Sequence, residues 1–212
     1  MKKNLFLLFS VLFVFTVNAL FAQKKSDILN EATPMTYLGV DFSQTKVIND
    51  FATTAADIKN RHFAGINQVI IGEPKKFDWP KYLDRGNITN DIAAVTAINE
   101  KVDEKNISST STADETHLKE SDIQGMVNKY DLSGKKGVGL VVIMESLSKP
   151  SEAASMYITF IDMASKKVLY TERMVEKAGG FGFRNYYAST IYKAMQTIKK
   201  SKLKSWRSSF GS

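Results

Sequence analysis

The side chains able to do chemistry in this chain are few and scattered. Only His62 and His117 supply imidazole, and the complete absence of cysteine removes thiol nucleophiles and cysteine-ligated zinc. His117 stands among Asp114, Glu115, Glu120 and Asp122, a local supply of oxygen and nitrogen donors. The segment has neither the two-histidine helical spacing of a zinc site nor the glycine-centred loop of an EF-hand, so it reads as a solvated acidic loop leading into a helix cap. His62, between Arg61 and Phe63, reads as a surface or structural residue. No G-x-S-x-G elbow presents a serine for acyl transfer. Asp41, Asp50, Glu145 and Asp162 fall near expected strand ends, and a hydrolase would need two of them to face each other across a cleft. Gly134 to Gly139 has the glycine density of a phosphate cradle. It precedes a strand, whereas a nucleotide loop follows one, so it reads as a turn.

The best candidate is the run Lys177-Ala178-Gly179-Gly180-Phe181-Gly182-Phe183-Arg184-Asn185-Tyr186-Tyr187. Its glycines let backbone N–H groups converge at the amino terminus of a following helix, and Lys177 and Arg184 stand nearby, an arrangement that suits an anion. The candidate site residues are therefore Lys177, Gly179, Gly180, Gly182, Arg184, Asn185 and Tyr186, for a ligand or a protein partner. The structural alternative is a connection whose glycines permit unusual backbone angles while Phe181 and Phe183 plug the core.

These residues need a scaffold, and the hydrophobic pattern supplies one. Met35 to Ser43 alternates as a first strand. Ile58, Phe63, Ile66 and Ile70 recur at helical spacing over 55–71, after Thr53-Thr54 and before Gly72 and Pro74. Residues 73–88 read as a packed connecting loop, and Ile92, Val95, Ile98 and Val102 mark a helix over 91–103. The stretch 107–112 is a polar edge strand or a loop, and Ser121 with Gln124 forms a capping box for a short helix over 122–130. Gly137 to Glu145 is an apolar, β-branched run that reads as a central strand buried on both faces. Residues 155–162 and 167–175 follow as a hairpin around Met163-Ala164-Ser165-Lys166, and Tyr187, Ile191, Met195 and Ile198 mark one face of a last helix. The expected fold is α/β, bordering on α+β: a single mixed sheet of about five strands flanked by helices, ending in an antiparallel meander and a C-terminal helix.

The amino terminus carries an address. Lys2 and Lys3 precede an apolar run from Leu5 to Val17, and Ala19 and Ala22 offer small residues before Gln23-Lys24-Lys25, the anatomy of a bacterial signal peptide over residues 1–22. Cleavage is expected after Ala22, with Ala19 the second choice. Loss of Lys2 and Lys3 would lower the formal net charge from +7 by two. A flexible leader over 23–34, one domain over 35–200 and a basic tail over 201–212 complete the expected organisation. Lys199, Lys200, Lys202, Lys204 and Arg207 gather near that tail, where they could meet anionic lipid headgroups or serve as a solvated helix end. The product is expected to be periplasmic or secreted, with no spanning helix after cleavage.

The closing half of the chain, Val138 to Met144, then Tyr157-Ile158-Thr159-Phe160-Ile161-Asp162, a turn and Val168-Leu169-Tyr170 before a last helix, resembles envelope α/β domains of the TolB amino-terminal, CsgG and penicillin-binding-protein-activator type. The resemblance covers roughly residues 137–200. It implies an adaptor in an envelope assembly and carries over no catalytic residue. The expected function is a non-enzymatic binding or adaptor module whose partner is an envelope protein. A carrier of a small anionic ligand and a hydrolase with a carboxylate pair are the alternatives. No cofactor and no nucleic-acid partner are expected.

Overall fold

Strand β5, Val138–Ser148, is buried along its whole length and organises the sheet. Its β-branched and apolar side chains suit a position covered on both faces. One edge of β5 pairs in parallel first with β1, Met35–Asp41, and then with β2, Lys46–Ile48. The other edge pairs antiparallel with β6, Ala153–Asp162, which pairs with β7, Lys167–Lys177. Short strands β3, Ile88–Asn90, and β4, Ser108–Ser109, lie parallel to β1 and β2 respectively. The seven strands therefore stand in five ranks, β3/β4, β1/β2, β5, β6 and β7, giving the mixed sheet of an α/β fold. The computed structural model describes residues 22–211; the expected signal segment, apart from Ala22, lies outside the described residues.

Pleating sends alternate side chains to opposite faces. Val138, Leu140, Val142 and Met144, with Met156, Ile158 and Phe160 of β6, pack under α2, Ala64–Gly72, and α6, Gly182–Thr197. Tyr187, Ile191 and Met195 of α6 and the following Ile198 are fully buried there, as their spacing predicts. Val141, Ile143, Tyr157 and Ile161 face α4, Ala93–Asn99, and α5, Glu120–Val127. Each such aliphatic side chain stabilises the fold by about 1.5–3 kcal/mol relative to exposure.

A break in β1 sets the geometry of the first rank. Its register against β5 slips between Tyr37 and Gly39, and Gly39 adopts φ +99°, a region that disfavours side chains. A Cβ at Gly39 would lie 2.9 Å from the Asn67 Oδ1 atom. That amide oxygen accepts from the Val40 N–H (2.7 Å) while the Asn67 Nδ2 donates to the Val40 carbonyl (3.0 Å). Asn99 does the same one step on, accepting from the Phe42 N–H (2.7 Å) and donating to the Val40 carbonyl (2.9 Å). Two asparagine amides thus take the place of a strand where β3 ends.

The packed unit extends past both of its expected limits. Residues 23–34 are not a loose leader: Lys25–Ile28 form a 3-10 turn and Ile28 is fully buried. Arg85, itself buried, donates to the carbonyls of Ile28 (2.6 Å), Asn30 (3.0 Å) and Thr33. The connection 73–88 contains α3, Trp79–Leu83, started by the Asp78 carboxylate, which accepts from the Lys81 N–H, and by Pro80 in its first turn. The basic tail is also structured. After a π-helical turn, Ile198–Lys202, helix α7, Leu203–Phe210, buries Leu203, Trp206 and Phe210. Lys199 and Arg207 pair with Asp84, and Lys202 pairs with Glu172, so these basic side chains hold the helix to the domain. The α5 cap falls earlier than expected: the Asp122 carboxylate accepts from the Lys119 N–H (2.9 Å), and Ser121 lies inside the first turn.

Candidate functional site

The glycine-rich run joins β7 to α6 at the end of the sheet where β5 finishes. Gly180 and Gly182 adopt φ of +106° and +73° on either side of Phe181, an angle pair that a β-branched residue opposes. The Gly179 N–H donates to the Tyr186 carbonyl (3.3 Å), folding the loop back over the first turn of α6. The result displays Phe181, which is 96% exposed and so does not plug the core. Phe183 does turn inward, stacking on His62 at 4.6 Å and meeting the Tyr187 ring edge at 4.9 Å.

Phe181 stands between two open depressions. One, about 330 Å³, is lined by Arg61, His62, Gly65, Phe183, Arg184 and Asn185 in addition to Phe181 and Gly182. The other, about 240 Å³, is lined by Lys149, Gly180, Phe183 and Tyr186 with the same two residues. The Arg184 stem lies against Gly65 of α2, where a Cβ would come within 3.0 Å of its Cδ. The Lys149 ammonium sits 4.8 Å from the centre of the Tyr186 ring, a cation–π distance. Gly179, Gly180, Gly182, Arg184, Asn185 and Tyr186 are thus brought together, but Lys177 is not. Its ammonium donates to the Ser151 carbonyl (2.8 Å) on the neighbouring hairpin turn.

His62 and Lys149 line the depressions beside Phe181 and were not among the expected site residues; Phe51 lies past the neighbouring end of β2. His62 reaches the loop only through the packing of α6 on the helical run 55–72. Lys149 follows β5, and its N–H donates to the Ile48 carbonyl (3.1 Å), which places it beside the end of β2. Phe51, three residues past β2, is 83% exposed. None of these has a periodicity or motif that could have marked it.

Each of the four carboxylates near strand ends is engaged by partners of its own. Asp41 is fully buried, accepting from the Tyr130 hydroxyl (2.5 Å) and the Ser43 N–H (2.7 Å). Burial pushes its pKa up, and burial beside Asp41 pushes that of Tyr130 well above the phenol range. Glu145 accepts from the Arg173 Nε (2.7 Å) and the Leu118 N–H (2.8 Å). Asp50 and Asp162 close local turns by accepting from the N–H groups of Ala52 and Ala164. His117 places one ring nitrogen 2.7 Å from the Asp114 carbonyl and the other 2.9 Å from the Gln44 carbonyl, a structural tie between two loops. Among the described residues no group of three or more His, Cys, Asp or Glu is arranged to hold a metal ion. A cavity of about 520 Å³ lies elsewhere, beside the connection from β1 to β2, and contains none of the expected site residues.

No protein-family model, curated protein or solved structure matches this chain.

Proposed function

We propose that this chain is an exported, non-enzymatic binding module that engages an envelope protein through the end of the sheet bearing Phe181. One observation carries the reading. Phe51, Val175 and Phe181 are the large hydrophobic side chains left exposed among the described residues, and topology puts all three at one end. Phe51 follows the end of β2, which runs parallel to β5; Val175 lies near the end of β7, and Phe181 follows it. Leaving three such side chains in water forgoes several kcal/mol of burial; Val175 lies on the sheet face bearing Arg173 and Phe181 beside the start of α6, so together they give the end of the sheet an apolar character suited to a partner. Arg184 and Lys149 flank Phe181, and arginine and aromatic residues dominate the energetics of protein interfaces. The open shape of both depressions favours surface contact over enclosure of a small anion. Export is supported by Lys2-Lys3, the Leu5 to Val17 run and the Ala22 boundary. Among the described residues no helix is long and apolar enough to cross a membrane.

The test is site-specific photo-crosslinking in native cells. A photoreactive side chain at position 181 should give a discrete protein adduct, while one at Ser165, in the turn at the opposite end of the sheet, should not. Arg184→Ala should weaken the adduct at 181 while changing stability by no more than about 0.5 kcal/mol. Equal labelling from both ends, or none at 181, would remove the reading.

A further inference from the structure

Among the described residues strand β7 closes the sheet and pairs only with β6. The Ala178 N–H donates to the Glu152 carbonyl (2.7 Å), and this bond sets the parity of the ladder. Counting back along the register, Glu176, Met174, Glu172 and Tyr170 turn their backbone groups toward β6. Lys177, Val175, Arg173 and Thr171 turn theirs outward. The Thr159 and Thr171 hydroxyls, 2.7 Å apart, show the close side-chain approach of a pair that is not hydrogen-bonded through its backbone. Of the outward groups, the Lys177 carbonyl accepts from the Lys193 ammonium (2.8 Å).

Elsewhere the molecule closes or shortens its edges. Asn67 and Asn99 cover β1 beyond β3, as described above. At the start of β7, the Gln124 amide accepts from the Val168 N–H (2.9 Å) and donates to the Lys166 carbonyl (2.9 Å). On the far side of the sheet, β3 and β4 are three and two residues long. Against this pattern, the stretch from Thr171 to Lys177 offers a row of outward donors and acceptors on an 11-residue strand. Long open edges are templates for pairing with another chain.

We propose that the outward edge of β7 from Thr171 to Lys177 is a strand-addition site for an extended segment of a partner protein. This rests on the partner-binding reading above, and the edge runs directly into the exposed end through Val175, which is 56% exposed. A second copy of the chain fits poorly. Antiparallel self-pairing centred on Glu172 or Arg173 sets each residue against its own like charge, and centring on Met174 sets Glu172 against Glu176, all destabilising arrangements. The complementary segment carries a β-branched residue beside Val175, an acidic residue beside Lys177 and a basic residue on its opposite face beside Glu176; Arg173 and Glu172 are already paired within the domain, with Glu145 and Lys202.

Residue-resolved amide exchange on the purified protein tests the edge directly. Thr171, Arg173 and Val175 should exchange at least 100-fold faster than Glu172 and Met174. Phage-displayed random 12-residue peptides panned on the purified protein should then yield binders that protect those three amides. Val175→Pro removes an outward N–H without touching the β6 ladder, and should weaken the selected peptides at least tenfold. Val175→Thr keeps the N–H and should bind as the parent does. Slow exchange of the three amides in the free protein, no binders, binders that leave the amides unprotected, or equal binding by a folded Val175→Pro variant would each overturn the proposal. If Val175→Pro fails to fold, the amide protection pattern decides alone. An unchanged photo-adduct at position 181 alongside any of these results would leave the binding module standing and remove only its strand-addition mode.

Discussion

Val138, Leu140, Val142 and Met144 on one face of β5 pack into the larger apolar cluster, whereas the opposite face begins with Val141 and Ile143 and ends on the buried carboxylate of Glu145. The second face also holds a segment with little regular structure. Leu118 is gripped through its N–H by Glu145 and through its carbonyl by the Tyr157 hydroxyl (2.9 Å). The Glu115 carbonyl accepts from Arg173 (2.7 Å) and Ser155 (2.9 Å), and its carboxylate accepts from Ser148 and Ser151 (both 2.6 Å). A dry face tolerates sliding among hydrophobic alternatives, but a buried carboxylate with a directional guanidinium partner has one satisfactory arrangement. The apolar face supplies stability; the polar face positions a loop that propensity alone would leave loose.

The sharpest way to break this comparison is Val142→Asp, which puts an unpaired carboxylate into the dry face. It should cost several kcal/mol, about a third or more of a typical domain's stability, measured as a fall in urea midpoint. A change no larger than that of a surface substitution would mean the two faces are not distinct.

Arg173→Ala comes next and probes the polar face. It leaves the Glu145 carboxylate, whose side chain is 0% exposed, without its cation, and should cost about 3–5 kcal/mol. The double variant Glu145→Leu with Arg173→Leu should recover most of that loss while loosening the segment around Leu118, seen as faster amide exchange there. If the double variant is as unstable as Arg173→Ala, the pair does more than compensate itself.

Asp41→Asn is the mildest test. Because burial raises the folded pKa of Asp41, the native state binds its proton more tightly than the unfolded chain, so this group favours folding at low pH. That contribution fades as pH rises from the ordinary carboxylate range through the raised pKa. Glu115 has the opposite sign. The Ser148 and Ser151 hydroxyls lower its pKa, so its contribution is present at neutral pH and is lost as pH falls through the lowered value. The stability of Asp41→Asn relative to the parent should therefore improve with rising pH in parallel urea titrations. A pH-independent difference would contradict the assignment.

The parts of the fold legible in the sequence are those with a strong local signal. The unbroken apolar run of β5, the hairpin around Met163 to Lys166 and the buried face of α6 were all expected with nearly the observed bounds. Strands β2 and β3 were not, and β4 was expected only as one of two alternatives for 107–112, because two or three residues paired in parallel carry no period and depend wholly on distant partners. The docking of residues 25–33 was hidden for a related reason: one arginine, Arg85, supplies it from more than fifty positions away. The candidate loop was legible as a loop from its glycines. The direction of Phe181 was not, since glycines that turn a ring outward and glycines that turn it inward have the same composition. Lys177 shows the same limit, for nearness in sequence did not carry its ammonium to the helix terminus.

The position of β5 also dictates an order of assembly. Met35 finds its partner Val138 about 100 residues further along the chain, and β2 finds Ser146 to Ser148 at a similar remove. A chain emerging from its amino terminus can form β1 and its neighbouring helices, but it has no central strand against which to lay them. The hairpin of β6 and β7, joined by a short turn, can close quickly once made. Assembly of this sheet is therefore gated by its latter half, because β1 and β2 gain their central partner only when β5 is in place.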